Sequence, residues 1–216
     1  MAKKTKEEAA ATYALILDAA EQVFSEKGVS GTTLCNIAEA AGVTRGAIYG
    51  HFKNKTDLLN QMHERVHLPM ESLAEEVASS EEPDPLGRLR GLLLKILRET
   101  AESPRQRRVL EILLNKCELI PEMDPVVQRL QRLNRNAVSR TERALGHAVA
   151  RGQLPEGLDC HRAAVGLHGY MIGLISNWLL TPEGFDLGRE AEALVDTYLA
   201  GLEKGPLVQS GKGASS

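Results

Sequence analysis

The sequence predicts an all-α protein, and three observations carry that reading. Apolar residues recur at helical spacing along most of the chain, as Leu34, Ile37, Ala38 and Ala41 do at i, i+3, i+4 and i+7. Asp84-Pro85, Ser103-Pro104 and Asp124-Pro125 repeat the pairing of a capping residue with proline that starts a helix. Hydrophobic residues make up 43% of the 216-residue chain but aromatics only 4%, a Leu/Ala-rich balance that suits helices better than sheets. Strand alternation and internal repeats are not visible.

The first helix is expected from near Glu7 to Lys27, with Leu15, Ile16, Ala19, Ala20, Val23 and Phe24 on its apolar face and Gly28 at its end. The stretch from Thr32 to Lys55, TTLCNIAEAAGVTRGAIYGHFKNK, then parses as two short helices and the start of another. Thr33 is placed to cap the first of these, and Gly42 supplies a residue able to end it in a left-handed conformation. Thr44 caps the second, with Val43 and Ile48 at the hydrophobic-staple positions. Two capped helices around a short Gly-containing turn form the helix-turn-helix signature.

The local charge of that stretch points to DNA. Between Glu39 and Asp57 no carboxylate occurs, whereas Arg45, His51, Lys53 and Lys55 do. A surface facing phosphates needs this sign, because each neutralised phosphate releases counterions. Ile48 and Phe52 can anchor the second helix, leaving Arg45, Gly46, Ala47, Tyr49 and Gly50 on its other face. Small residues let a helix approach the major groove, and Arg45 could pair with a guanine edge. Lys55, at the start of the next helix, is expected to meet a phosphate. A formal net charge of −3 excludes a globally basic protein but not a compact basic tip.

Asn54 is placed to cap the next helix, which continues through Leu58, Leu59, Met62 and Val66. Pro69 predicts a kink or restart near Leu68, and with it a domain boundary. Further helices are expected from Asp84-Pro85 through Leu97, from Ser103-Pro104 through Leu114, and from Asp124-Pro125 to near Arg151-Gly152. Asp159 can cap another that reaches Leu180, and a last one runs from Leu187 to Lys204. The expected organisation is therefore a head at 1–68, a body at 69–205 and a disordered tail at 206–216. Lys3, Lys4 and Lys6 could form an arm that meets DNA.

Thr32-Thr33, Ile37-Ala38, Ala41-Gly42-Val43, Gly46, Tyr49, His51-Phe52 and Lys55 resemble the spaced pattern of the TetR family of bacterial repressors. The opening KKTKEEA, the segment RRVLEILLNKCE from Arg107 to Glu118 and RGQLP from Arg151 to Pro155 resemble the AcrR and TtgR subfamily, whose members control multidrug efflux pumps. The resemblance covers most of the chain. It implies a ligand-responsive repressor that binds double-stranded operator DNA as a homodimer. The DNA-facing set it implies is Thr32, Thr33, Thr44, Arg45, Gly46, Ala47, Tyr49, His51, Lys53 and Lys55.

In the body, the resemblance implies a pocket for small lipophilic ligands lined by Leu92, Leu93, Ile96, Leu110, Leu114, Asn134, Ala137, Val138, Thr141, His168, Met171, Ile172 and Ile175. Helical spacing alone fits plain core equally well. The almost wholly apolar run AAVGLHGYMIGLISNWLL approaches the length of a membrane span. His168, Ser176 and Asn177 within it, and the lack of a basic flank, favour a helix buried on two sides. Gly166, Gly169 and Gly173 would admit another helix closely; with Leu194, Tyr198 and Leu202 they are the expected dimer interface.

Other chemistry finds little support. Cys35, Cys117 and Cys160 are odd in number, widely spaced and read as reduced thiols, and no metal-ligand spacing appears among them. A redox- or metal-sensing regulator on the same fold is the alternative function. Nucleophile motifs and phosphate loops are missing, so neither an enzyme nor a cofactor is expected. Glu7-Glu8 stand where a signal peptide needs apolar residues, which makes a cytoplasmic protein the expectation.

Overall fold

The computed structural model describes residues 6–79, 81–117, 124–204 and 207, and no strand occurs among them. In chain order the helices are α1 (Lys6–Lys27), α2 (Leu34–Ala40), α3 (Arg45–His51), α4 (Lys55–Val77), α5 (Pro85–Glu102), α6 (Pro104–Asn115), α7 (Asp124–Ala150), α8 (Cys160–Leu180) and α9 (Leu187–Lys204). The all-α prediction holds. Lys3, Lys4, the capping side chain of Asp124 and the tail other than Leu207 lie outside what is described. The Leu207 carbonyl accepts a 2.9 Å hydrogen bond from the Asp159 amide at the start of α8.

Local chemistry accounts for most helix ends. Gly28, Gly42 and Gly152 have φ of +72°, +63° and +71°, the left-handed conformation that closes α1, α2 and α7. Asn54 accepts from the Asp57 amide at 2.8 Å, Asp84 from Gly87 at 3.0 Å and Asp159 from Arg162 at 3.0 Å, capping α4, α5 and α8 as expected. Asp186 does the same for α9 through the Arg189 amide at 3.0 Å, a cap not anticipated from the sequence. Ser103 is the C-cap of α5, its amide donating to the Glu99 carbonyl at 2.9 Å, and α6 begins at the next residue, Pro104.

The restart expected at Pro69 does not occur: α4 is one helix through to Val77. A proline removes one backbone donor, and the surrounding turns carry the helix past that loss.

The chain forms two compact units, and they are not two consecutive segments. The first comprises Met1–Leu68 with Pro104–Leu130, the second Pro69–Ser103 with Gln131–Ser216. One boundary between the units falls at 68, and α6 with the first part of α7 groups with residues 1–68. The reason lies in the core. Val109 and Ile112 of α6 and Val126 of α7 are buried with Ile16, Leu17, Phe24, Ile37, Ile48, Phe52, Leu58 and Met62.

Charges tie α6 to the same unit. Glu21, 1% exposed on α1, lies 3.5 Å from Arg65 of α4 and 3.4 Å and 3.8 Å from Arg105 and Arg108 of α6. Asp18 pairs with Arg65 and Arg105 at 2.8 Å each. Burial pushes the Glu21 carboxyl above its ordinary value, and the arginines oppose that shift.

In the second unit α5 packs along α9, and both meet α8. Leu89, Leu93, Leu97, Leu167, Met171, Ile175, Val195, Leu199 and Leu202 are buried there. Bidentate Arg90–Asp196 and the Arg98–Glu192 pair flank the α5–α9 seam at the surface.

Candidate nucleic-acid interface and regulatory body

The α2–α3 pair is built by caps and a small core. Thr33 accepts from the Asn36 amide while Asn36 Oδ1 accepts from the Thr33 amide, a reciprocal box with asparagine at the third helical position. Thr44 Oγ1 accepts from the Ala47 amide at 3.2 Å. Ile48 is fully buried and Val43 packs against the same core, as the staple requires. Tyr13 of α1 stacks on Phe52 with ring centroids 5.1 Å apart and donates its hydroxyl to Gln61, fixing the exit of α3 against α1 and α4.

This anchoring leaves an exposed face. Thr33, Thr44, Arg45, Gly46, Tyr49 and Lys53 are exposed, with Tyr49 at 57%. Ala47 and His51 are half-buried. Spare donors, a phenol and glycine on one short helix give a surface that can approach a groove and address both phosphates and base edges.

Two of the expected DNA contacts are placed otherwise. Thr32 is 2% exposed, and its hydroxyl donates to the Gly28 carbonyl at 2.7 Å. The Lys55 ammonium donates to the carbonyls of Val29 at 2.6 Å, Thr32 at 3.0 Å and Ser30 at 3.4 Å. A lysine at a helix N-terminus gains nothing from the helix dipole, whereas carbonyls beyond the end of α1 need donors. The ammonium therefore turns inward onto the α1–α2 loop.

The thirteen expected ligand residues fall in both units. Leu110 and Leu114 belong to the first unit, the other eleven to the second. Leu93, Met171 and Ile175 are buried core, while Leu114 and Ile172 are each 39% exposed and Asn134 is exposed. Leu92, Ile96, Ala137, Val138 and Thr141 are half-buried, as is His168, whose imidazole is held below its ordinary pKa by burial. A recess of about 570 Å³ in the second unit is lined by Leu174, Phe185, Arg189, Glu190 and Leu194, none of them in that set.

The expected dimer residues also divide. Leu202 is 3% exposed and belongs to the core of its own chain. Gly166 receives Tyr198: a Cβ there would stand 2.5 Å from the Tyr198 hydroxyl, which donates to the Ala163 carbonyl at 2.9 Å. Tyr170 stacks on Tyr198 and donates to the carbonyl of half-buried Leu194. Gly169 and Gly173 face open space. Beside them Val165, Ile172 and Leu180 are exposed in the single chain at 49%, 39% and 69%. Helix α8 is long and apolar enough to cross a membrane by length and composition.

No group of three or more His, Cys, Asp or Glu able to hold a metal occurs among the described residues. The three cysteines are half-buried and form no disulfide, and burial, with Glu142 and Asp159 nearby, pushes the Cys160 thiol up.

A capped helix pair with an exposed donor-bearing second helix defines a helix-turn-helix regulator. Residues 16–62 match the family described as bacterial regulatory proteins, tetR family, and residues 84–204 match the MAATS-type transcriptional repressor C-terminal region. The chain belongs to the TetR family of DNA-binding transcriptional repressors, which are not enzymes. It is 44% identical to the HTH-type transcriptional regulator TtgR of Pseudomonas putida over 97% of this chain and 100% of that protein. Among solved structures, NalD of Pseudomonas aeruginosa, the secondary repressor of the MexAB-OprM multidrug efflux pump, is 37% identical with a TM-score of 0.84, over 92% of this chain and 99% of that one. SmeT of Stenotrophomonas maltophilia in complex with triclosan is 37% identical with a TM-score of 0.83, over 95% and 98%.

Proposed function

We propose that this protein is a cytoplasmic, homodimeric repressor that binds a palindromic operator, controls a multidrug efflux operon and is released by small lipophilic compounds. The observation that carries this reading is likeness along nearly the whole chain to a transcriptional regulator, to a repressor of a multidrug efflux pump and to a protein solved with triclosan. Thr33, Thr44, Arg45, Gly46, Tyr49 and Lys53 are the exposed residues that face DNA, Arg45 toward a base edge. The apolar face of α8, with Val165, Ile172 and Leu180 around open Gly169 and Gly173, supports a partner copy rather than a lipid phase. A two-fold dimer places two recognition helices about 34 Å apart and so matches a palindrome.

Repression follows from differential affinity. The ligand prefers a conformation in which that separation is wrong for the operator, and linkage requires DNA to weaken ligand binding by the same factor. Fluorescence anisotropy with duplex DNA from upstream of the protein's own gene, with and without triclosan and related lipophilic antimicrobials, tests this. Tight binding that the compounds release supports the reading; tight binding that none of them releases contradicts the ligand part of it.

A further inference from the structure

The loop between α1 and α2 is held from two sides. Lys55, the first residue of α4, supplies its ammonium to the carbonyls of Val29, Ser30 and Thr32. From the other side comes Lys116, just past the end of α6. Its carbonyl accepts from the Val29 amide at 3.1 Å, and its ammonium donates to the Ser25 carbonyl in the last turn of α1. Glu111 of α6, 3.0 Å away, holds that ammonium in place. Val29 between them is fully buried.

We propose that Lys116 is a positioning residue for operator recognition: together with Lys55 it fixes the Gly28–Thr33 loop, and through that loop the recognition helix α3. The chemistry is that of a helix end. The last carbonyls of α1 have no partner within the helix, and a cation near them is favoured by the helix dipole. The loop itself has little slack. A Cβ on Gly31 would stand 2.6 Å from the Lys27 carbonyl, so the backbone lies directly on the end of α1.

What the loop fixes is the entry to the DNA-binding pair. Thr33, the cap of α2, follows it directly, and α2 sets α3 through Leu34, Ile37, Ala38 and Ile48 in one buried cluster. A displacement at Val29 is therefore passed to Arg45 and Tyr49. Lys116 lies outside residues 16–62, the region matched as the family's DNA-binding part. Operator preference then depends on a residue of α6's end that touches no DNA. The inference rests on the family's DNA binding and not on the ligand response.

The test uses the full-length protein, an operator duplex selected by the wild-type protein from a random library, and a random-sequence duplex of equal length. Lys116→Met, confirmed folded by circular dichroism and thermal melting, is expected to bind the selected duplex about tenfold more weakly. Binding to random DNA and the salt slope of both remain as in the wild type, because no phosphate contact is lost. Gly31→Ala, which pushes the same loop off α1 without touching Lys116, is expected to lose operator preference in the same way.

An unchanged preference in Lys116→Met overturns the proposal, whatever Gly31→Ala does. An equal loss on both duplexes, with a slope shallower by about one, also overturns it, by making Lys116 a phosphate contact. Should Lys116→Met not fold, amide exchange in the wild type decides: the Val29 amide becomes more protected when the selected duplex binds, and unchanged exchange overturns the proposal.

Discussion

The Lys55 ammonium donates a 2.6 Å hydrogen bond to the carbonyl of Val29, which ties the first turn of α4 to the end of α1. Charge-assisted bonds of this kind contribute about 1.5–3 kcal/mol. Lys55→Met is expected to lower stability by about 2 kcal/mol, read by urea unfolding. Salt titration of the folded variant separates the roles further. Its slope should equal that of the wild type, whereas loss of a phosphate contact would make it shallower by about one. Arg45→Ala supplies the contrast: stability is unchanged, operator affinity falls by about 1–3 kcal/mol, and base preference relaxes at one position.

Gly166 and Tyr198 form a second close fit, with no room for a Cβ between them. In Gly166→Ala the Tyr198 hydroxyl must leave the Ala163 carbonyl, and the α8–α9 contact loosens. A cost of about 1–3 kcal/mol is expected from overpacking. The double variant Gly166→Ala with Tyr198→Phe should be less destabilised than the sum of the two single changes, since the phenyl ring lacks the clashing oxygen. Additive losses would mean that the two residues do not meet.

The exposed side of α8 gives a test of assembly. Ile172 is 39% exposed in the single chain, so Ile172→Arg costs little in monomer stability. Buried between two copies, the new charge would be desolvated without a partner. Sedimentation should show a folded monomer, and operator affinity should drop with it. A stable dimer in Ile172→Arg would place the interface elsewhere.

His168 predicts a pH dependence. Burial holds its folded pKa below the unfolded value of about 6.5. The unfolded chain therefore takes up the proton first as pH falls. Stability is complete above about pH 6.5 and declines on acidification from there toward the folded pKa. In His168→Leu the unfolding free energy should lose that part of its slope; an identical slope would assign the acid sensitivity to other groups.

The helices were legible because their ends are encoded locally. Asp84, Asp159, Asn54, Gly28 and Gly42 announce caps by residue type, and α9 runs from Leu187 to Lys204 as read. Asp186 carries the same kind of signal, whereas Asn36 does not stand out because the third position of a capping box is usually Glu or Gln. The long-range partners were not legible. Periodicity shows that α6 has a buried face, not that the face meets α1. The Lys55 contact with Val29 spans 26 positions, and local charge alone makes such a lysine look like a phosphate contact. The intrachain partners of Gly166 and Leu202 were hidden for the same reason: small or apolar residues signal contact without naming the partner. Pro69 shows the converse: a proline signals a kink or a restart, and α4 continues past it without restarting.

The proposed repression requires operator and lipophilic compound to bind one protein, each at the expense of the other. The direct measurement is the dissociation constant of a releasing compound for the free protein and for the saturated protein–operator complex, by calorimetry at one salt concentration. The account predicts weaker binding to the complex, by the same factor by which the compound weakens operator binding. Equal affinity for the two forms would contradict it.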